Sequence, residues 1–252
     1  GVVAAVLASP KFIYIAEGQS ENASAELSSW ELATRLSFFL WSTIPDDELL
    51  ATARDGSLLR PDVLDAQVQR MLESPKSQAL SHNFARQWLR LDQLITAVPD
   101  FDRYEMYYSR IGCEQWKFGL QTMIEPLLLF ESIMVEDRSI LLLIDSQYAW
   151  RSDELQSWYE DDVPFAGKEN RNRFNTNQQT YRRRKLNDRR YGGVITSAAT
   201  LTMTSAPLRT SPIVRGAWVA TVIFNQPPPP PPDDVPTIEA DEKVIEAKGL
   251  TL

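Results

Sequence analysis

Six consecutive prolines, Pro227 to Pro232, constrain this 252-residue chain more tightly than any other stretch. Each proline fixes φ and lacks an N–H. Six in a row form neither helix nor interior strand and take the extended polyproline II form. The residues just before them, "SPIVRGAWVATVIF", have the grammar of a helix, with Ser211 at the cap and Pro212 in the first turn. Their β-branched residues also permit a strand, but the Ser-Pro start favours helix. No basic residue flanks the prolines, so they read as a stiff spacer rather than as a ligand for an aromatic groove. The acidic, weakly helical "PTIEADEKVIEAKGLTL" that follows reads as a linker.

Upstream, apolar residues recur at helical spacing. In "ELSSWELATRLSFFLWS" Leu27, Trp30, Ala33, Leu36 and Leu40 fall three or four apart. Phe38, Phe39 and Trp41 widen that stripe, which predicts a helix buried nearly all round and ending near Ser42. "STIPDDELLATARDG" predicts a second helix, capped by Ser42 or Thr43 with Pro45 in its first turn. "RPDVLDAQVQRMLESP" predicts a third, starting at Pro61 and broken at Pro75. "KSQALSHNFARQWLRLDQL" predicts a fourth, with Leu80, Phe84, Trp88 and Leu91 on one face. A long helical stretch from about Tyr104 to Val135 is interrupted at Pro126. "DRSILLLIDSQYAW" gives a further short apolar element.

Residues 160–190 differ from the rest. They are polar and basic, and "YRRRKLNDRR" reads as a solvated loop beside acidic neighbours. The predicted fold is therefore all-α: a multi-helix globular domain with a long polar loop and a C-terminal polyproline II strap. The divisions are 1–159, the helical domain; 160–190, the loop; 191–226, a second apolar segment; and 227–252, strap and linker.

The net charge of −8 argues against nucleic acid as partner, because phosphate binding wants a basic face. No apolar run is long enough for a bilayer span. Cys113 is the sole cysteine and His82 the sole histidine, too few ligands for a His/Cys zinc centre. An inert buried thiol suits Cys113 in its aromatic-rich surroundings. No GxSxG elbow, P-loop, GxGxxG or CxxCH is present. No complete catalytic apparatus is legible, and whether the chain is an enzyme stays open. Two soft candidates for an axial haem position are His82 and Met203, against the plainer readings of a surface histidine and a core-filling methionine.

The stretch "RYGGVITSAATLTMTSAPLRTSPIVRGAWVATVIFNQPPPPPPDDVP" resembles the start of the planctomycete-type cytochrome-c-like domain. The resemblance is carried by Gly192, Gly193, Leu201, Thr202, Thr204, Ser205, by Arg209 to Pro212, by Arg215, Gly216, Trp218, the prolines, Val235 and Pro236. "LASPKFIYIAE", "WELATRLSFFLWSTIPDDELLATARDGSL", "NFARQWLRL" and "EDRSILLLIDSQYAW" resemble the helical domain of unknown function that precedes it in the same large exported bacterial proteins. What the resemblance implies is a scaffold of a multidomain c-type cytochrome. Its haem c would be attached outside this segment, and it would work in electron transfer or in a redox enzyme in the periplasm or cell envelope. It would meet a redox partner or other subunits there. Arg209 and Arg215 would contact haem propionates or acidic partners, while Thr210 and Ser211 hold the turn; the plainer alternative is that this segment only caps a helix, with Arg215 in an ordinary ion pair. The alternatives are a non-redox interaction subunit of an envelope assembly and, more weakly, a carbohydrate-active enzyme using paired acids.

Overall fold

The computed structural model describes residues 1–13, 27–108, 118–156, 159, 175–176 and 179–229. The readings made for Cys113, for most of the polar loop, and for Pro230 to Leu252 lie outside these residues. The helices are α1 (Val2–Leu7), α2 (Pro10–Ile13), α3 (Ser29–Trp41), α4 (Asp47–Arg54), α5 (Pro61–Glu73), α6 (Gln78–Leu80), α7 (Arg86–Trp88) and α8 (Gln93–Thr96). They continue with α9 (Glu105–Tyr108), α10 (Phe118–Gln121), α11 (Ile124–Val135), α12 (Asp153–Gln156), α13 (Ala198–Met203) and α14 (Pro212–Trp218). Five-residue π segments, Ser81–Ala85 and Val219–Ile223, join α6 to α7 and extend α14. Among the described residues no helix is long and apolar enough to cross a membrane.

The chain is predominantly helical, but it is not all-α. Strands β1 (Tyr148–Arg151) and β4 (Arg182–Lys185) pair antiparallel, Trp150 opposite Arg183, and β2 (Asn175–Thr176) pairs with β3 (Gln179–Thr180). The sequence hides β4 because its four residues are Arg-Arg-Arg-Lys, which looks like a solvated run. In the structure β1 is buried along its whole length and supplies the apolar partner. Arg183 pairs with Glu136 and lies 4.8 Å from the centre of the Tyr148 ring, while Arg184 is buried and pairs with Asp153. Cation–π contact and ion pairing thus absorb charges that otherwise seek water.

Local signals explain most of the helix ends. Ser28 and Glu31 close a capping box on α3: Ser28 Oγ accepts from the Glu31 amide at 3.3 Å, and Glu31 Oε2 accepts from the Ser28 amide at 2.8 Å. The helix stops at Ser42, left-handed at φ 51°. Asp46, not Ser42 or Thr43, caps α4, accepting from the Leu49 amide at 3.0 Å. Pro45 precedes that cap rather than following it. The α3 helix is not buried all round either. Trp30, Phe38 and Phe39 are about half exposed, while Ala33, Leu40 and Trp41 face the core with Leu49, Leu58 and Met71. Pro126 does not kink a long helix. It sits in the first turn of α11, where its missing N–H costs nothing.

The helix α11 runs through the centre, with residues 125–133 all buried. The second apolar segment is pressed onto the chain just after it. The Val194 amide donates to the Leu143 carbonyl at 2.7 Å. A Cβ on Gly192 would lie 1.8 Å from the Ser146 carbonyl oxygen. One on Gly193, whose φ is +88°, would lie 2.4 Å from the Ile144 oxygen. The paired glycines are therefore a requirement of backbone-on-backbone contact.

Candidate functional site

Where the two apolar segments meet, a cleft of about 890 Å³ opens. One wall is the stretch from Val98 to Tyr107. The other runs from Ala198 through Pro207 to Arg215. Two hydrogen bonds join the walls: the Asp100 amide donates to the Pro207 carbonyl at 3.0 Å, and the Arg103 side chain donates through Nη1 to the Leu208 carbonyl at 3.3 Å. A bridge between Ser205 and Thr210 folds the intervening loop back on itself, so that Arg209 and Thr210 face the cleft.

The floor carries Tyr159 and Tyr191, edge to face with ring centres 6.0 Å apart. Tyr159 is held from four sides. Its hydroxyl donates to Glu125 Oε2 at 2.5 Å and accepts from the Ala198 amide at 2.7 Å. Beneath it the Arg151 guanidinium lies 3.4 Å from the ring centre. Arg151 is fully buried, and its Nε donates to Glu125 Oε1 at 2.7 Å. Its Nη2 donates to the Tyr191 carbonyl at 2.8 Å, and its Nη1 to Gln156 at 3.3 Å. Burial, and then the Glu125 charge, push the Tyr159 phenol well above its ordinary range, so it stays neutral and a donor. On the wall, burial raises Tyr107 to about 12, and its hydroxyl donates to the Leu94 carbonyl at 3.2 Å.

Among the described residues three arginines reach the cleft, Arg103, Arg209 and Arg215, against one carboxylate, Asp102. In a chain of net charge −8 this is a local reversal of sign. Arg215 is half-buried. Its Nε donates to Thr204 Oγ1 at 3.2 Å and its Nη2 to Thr210 Oγ1 at 2.9 Å. Among the described residues no carboxylate pairs with it. Burial pulls its pKa below the usual arginine value, though the group remains a cation at neutral pH. Thr204 is itself buried and donates to the Thr200 carbonyl at 2.6 Å, so the hydroxyl that orients Arg215 is itself fixed.

Of the six residues singled out in the sequence, the structure brings Arg209, Thr210 and Arg215 together. Ser211 stands at the cap position of α14, but its side chain makes no cap bond there. Met203 ends α13 and packs, partly buried, against the core. His82 lies on the exposed side of the first π segment, and burial and Arg86 lower its pKa. Neither Met203 nor His82 lines the cleft. Sequence reasoning missed Tyr159, Tyr191, Arg103 and the Glu125–Arg151 pair. A signal for the pair was present: Glu125 and Glu131 stand inside "MIEPLLLFESIMV", an apolar run that leaves a carboxylate no route to water.

A model described as PSD4, protein of unknown function (DUF1592), matches residues 27–160. A second, described as PSCyt3, protein of unknown function (DUF1588), matches residues 191–250. The first spans more than half of the chain, and the chain belongs to that family. The two matches agree with the resemblance to planctomycete cytochrome-c-like proteins at the level of family. The cleft draws one wall and Tyr159 from the first matched segment, and Tyr191 and its other wall from the second. No curated protein and no solved structure matches the chain.

Proposed function

We propose that this chain is a helical scaffold of an exported multidomain c-type cytochrome, and that the arginine-lined cleft is the face it turns toward the haem-bearing part of the protein. The observation that carries the reading is the convergence of Arg103, Arg209 and Arg215 over a tyrosine floor, in a chain that is otherwise acidic. Guanidinium groups suit the propionates at the edge of a haem, and aromatic walls suit its flat body. Among the described residues the cleft lining holds no histidine, methionine or cysteine. The haem, when bound, supplies a one-electron carrier. This chain orients it, excludes water from its edge and balances its charge. Covalent haem attachment places the protein in the periplasm or cell envelope, beside a redox partner.

A pyridine haemochrome spectrum of the protein, purified at its native length from its source, tests this. A c-type signal that stays with the denatured polypeptide is the expected result. Homogeneous native-length protein without haem overturns it. The exposed aromatic group on α3 and its neighbour, Phe39 and Phe84 with ring centres 6.5 Å apart, favours a second reading as an interaction subunit of an envelope assembly.

A further inference from the structure

We infer that the cleft is a carboxylate-binding site anchored on Arg215, and that its ligand carries the carboxylate on a flat, largely apolar ring. This deepens the reading above and depends on it only for the source of the carboxylate.

The argument starts from the contrast between cost and compensation. A half-buried guanidinium loses hydration and needs a partner that returns it. Among the described residues Thr204 and Thr210, two neutral acceptors, are the contacts of a group with five N–H donors. They fix the plane of the guanidinium without neutralising it. A carboxylate entering the cleft meets this oriented fork, and charge-assisted bonds to it are about twice as strong as neutral ones. Arg209 and Arg103 on the same cleft add positive potential, while among the described lining residues only Asp102 opposes it. Most of the remaining surface is ring and aliphatic, from Tyr104, Tyr159, Tyr191, Pro99, Leu201 and Pro207, with hydroxyls from Thr202 and Ser205. Tyr159 cannot swing away from a ligand, because Glu125, the Ala198 amide and Arg151 lock it. A small inorganic anion would leave these walls wet. A ring of porphyrin or benzoate type covers them. The volume of about 890 Å³ accepts either source of the same chemistry, a propionate edge of a porphyrin or a free aromatic acid.

The test is a titration of the full chain, followed by its intrinsic fluorescence and by calorimetry. The probes are iron protoporphyrin IX, the same porphyrin as its dimethyl ester, and 4-hydroxybenzoate. The expected result is that the free diacid binds about tenfold or more tightly than the ester. Arg215→Gln should remove that difference by weakening the diacid alone. Arg215→Lys keeps the charge but loses the planar fork, and should fall between. Arg54→Gln, on an exposed helix end far along the chain, should match the parent. Binding of 4-hydroxybenzoate but of neither porphyrin, abolished in Arg215→Gln, upholds the carboxylate site and overturns the haem-facing reading. Equal binding of diacid and ester, an unaltered affinity in Arg215→Gln and Arg215→Lys, or no binding of any probe overturns the site.

Discussion

Arg151 and Arg215 are the same residue type at one tyrosine-floored cleft, the first buried beneath the Tyr159 ring and the second in the lining, and their surroundings differ in kind. Arg151 is fully buried and charge-paired. Glu125 takes its Nε, the Tyr191 carbonyl and Gln156 take its outer nitrogens, and Tyr159 covers its face. Arg215 is half-buried and has two hydroxyls. The first arrangement has its charge met by Glu125 and lies buried, out of a ligand's reach. The second is oriented but incomplete. A buried cation with all its partners is part of the architecture, whereas one held in place without its counter-charge is poised for something that arrives.

That contrast can be broken by substitution. Arg151→Met should cost the most, about 3–5 kcal/mol in urea unfolding, because it strands the buried Glu125 carboxylate. The double variant Arg151→Met with Glu125→Leu should recover much of that loss, and a double variant no more stable than the single one would show that the pair is not the coupled unit described here. Tyr159→Phe should cost less, about 1–3 kcal/mol, since it leaves Glu125 Oε2 and the Ala198 amide each short of a partner. Arg215→Gln should change stability by about 0.5 kcal/mol or less, as it removes no ion pair among the described residues. A loss as large as that of Tyr159→Phe would place Arg215 with Arg151 as a structural group and erase the difference.

The sequence made helix starts legible where a proline marks them, but it misplaced the α4 cap, which is Asp46. Pro61 and Pro212 each open a helix as their positions imply, and Ser42 ends α3. It failed where the deciding partner is distant. The β4 run of arginines reads as solvent-facing until β1 is placed beside it, with Tyr148 and Trp150 under Arg183. The aromatic breadth of α3 reads as burial, yet Phe38 and Phe39 face outward, because periodicity counts apolar residues and does not say which neighbours cover them. At the candidate site, Arg209, Thr210 and Arg215 lie close enough in the chain to be picked out together. Tyr159 and Arg103 come from far upstream and enter the cleft only through tertiary contact.

The glycines at 192 and 193 carry one more consequence. Their backbone touches the carbonyls of Ser146 and Ile144 with no room for a methyl group, and the next residue, Val194, is bonded to Leu143. The seam between the two matched segments is thus as tightly toleranced as an interior. A recombination that replaced either side with an unrelated sequence would have to reproduce a bare backbone ridge facing two outward carbonyls. Exchange of either segment alone for an unrelated sequence should therefore fail at this seam.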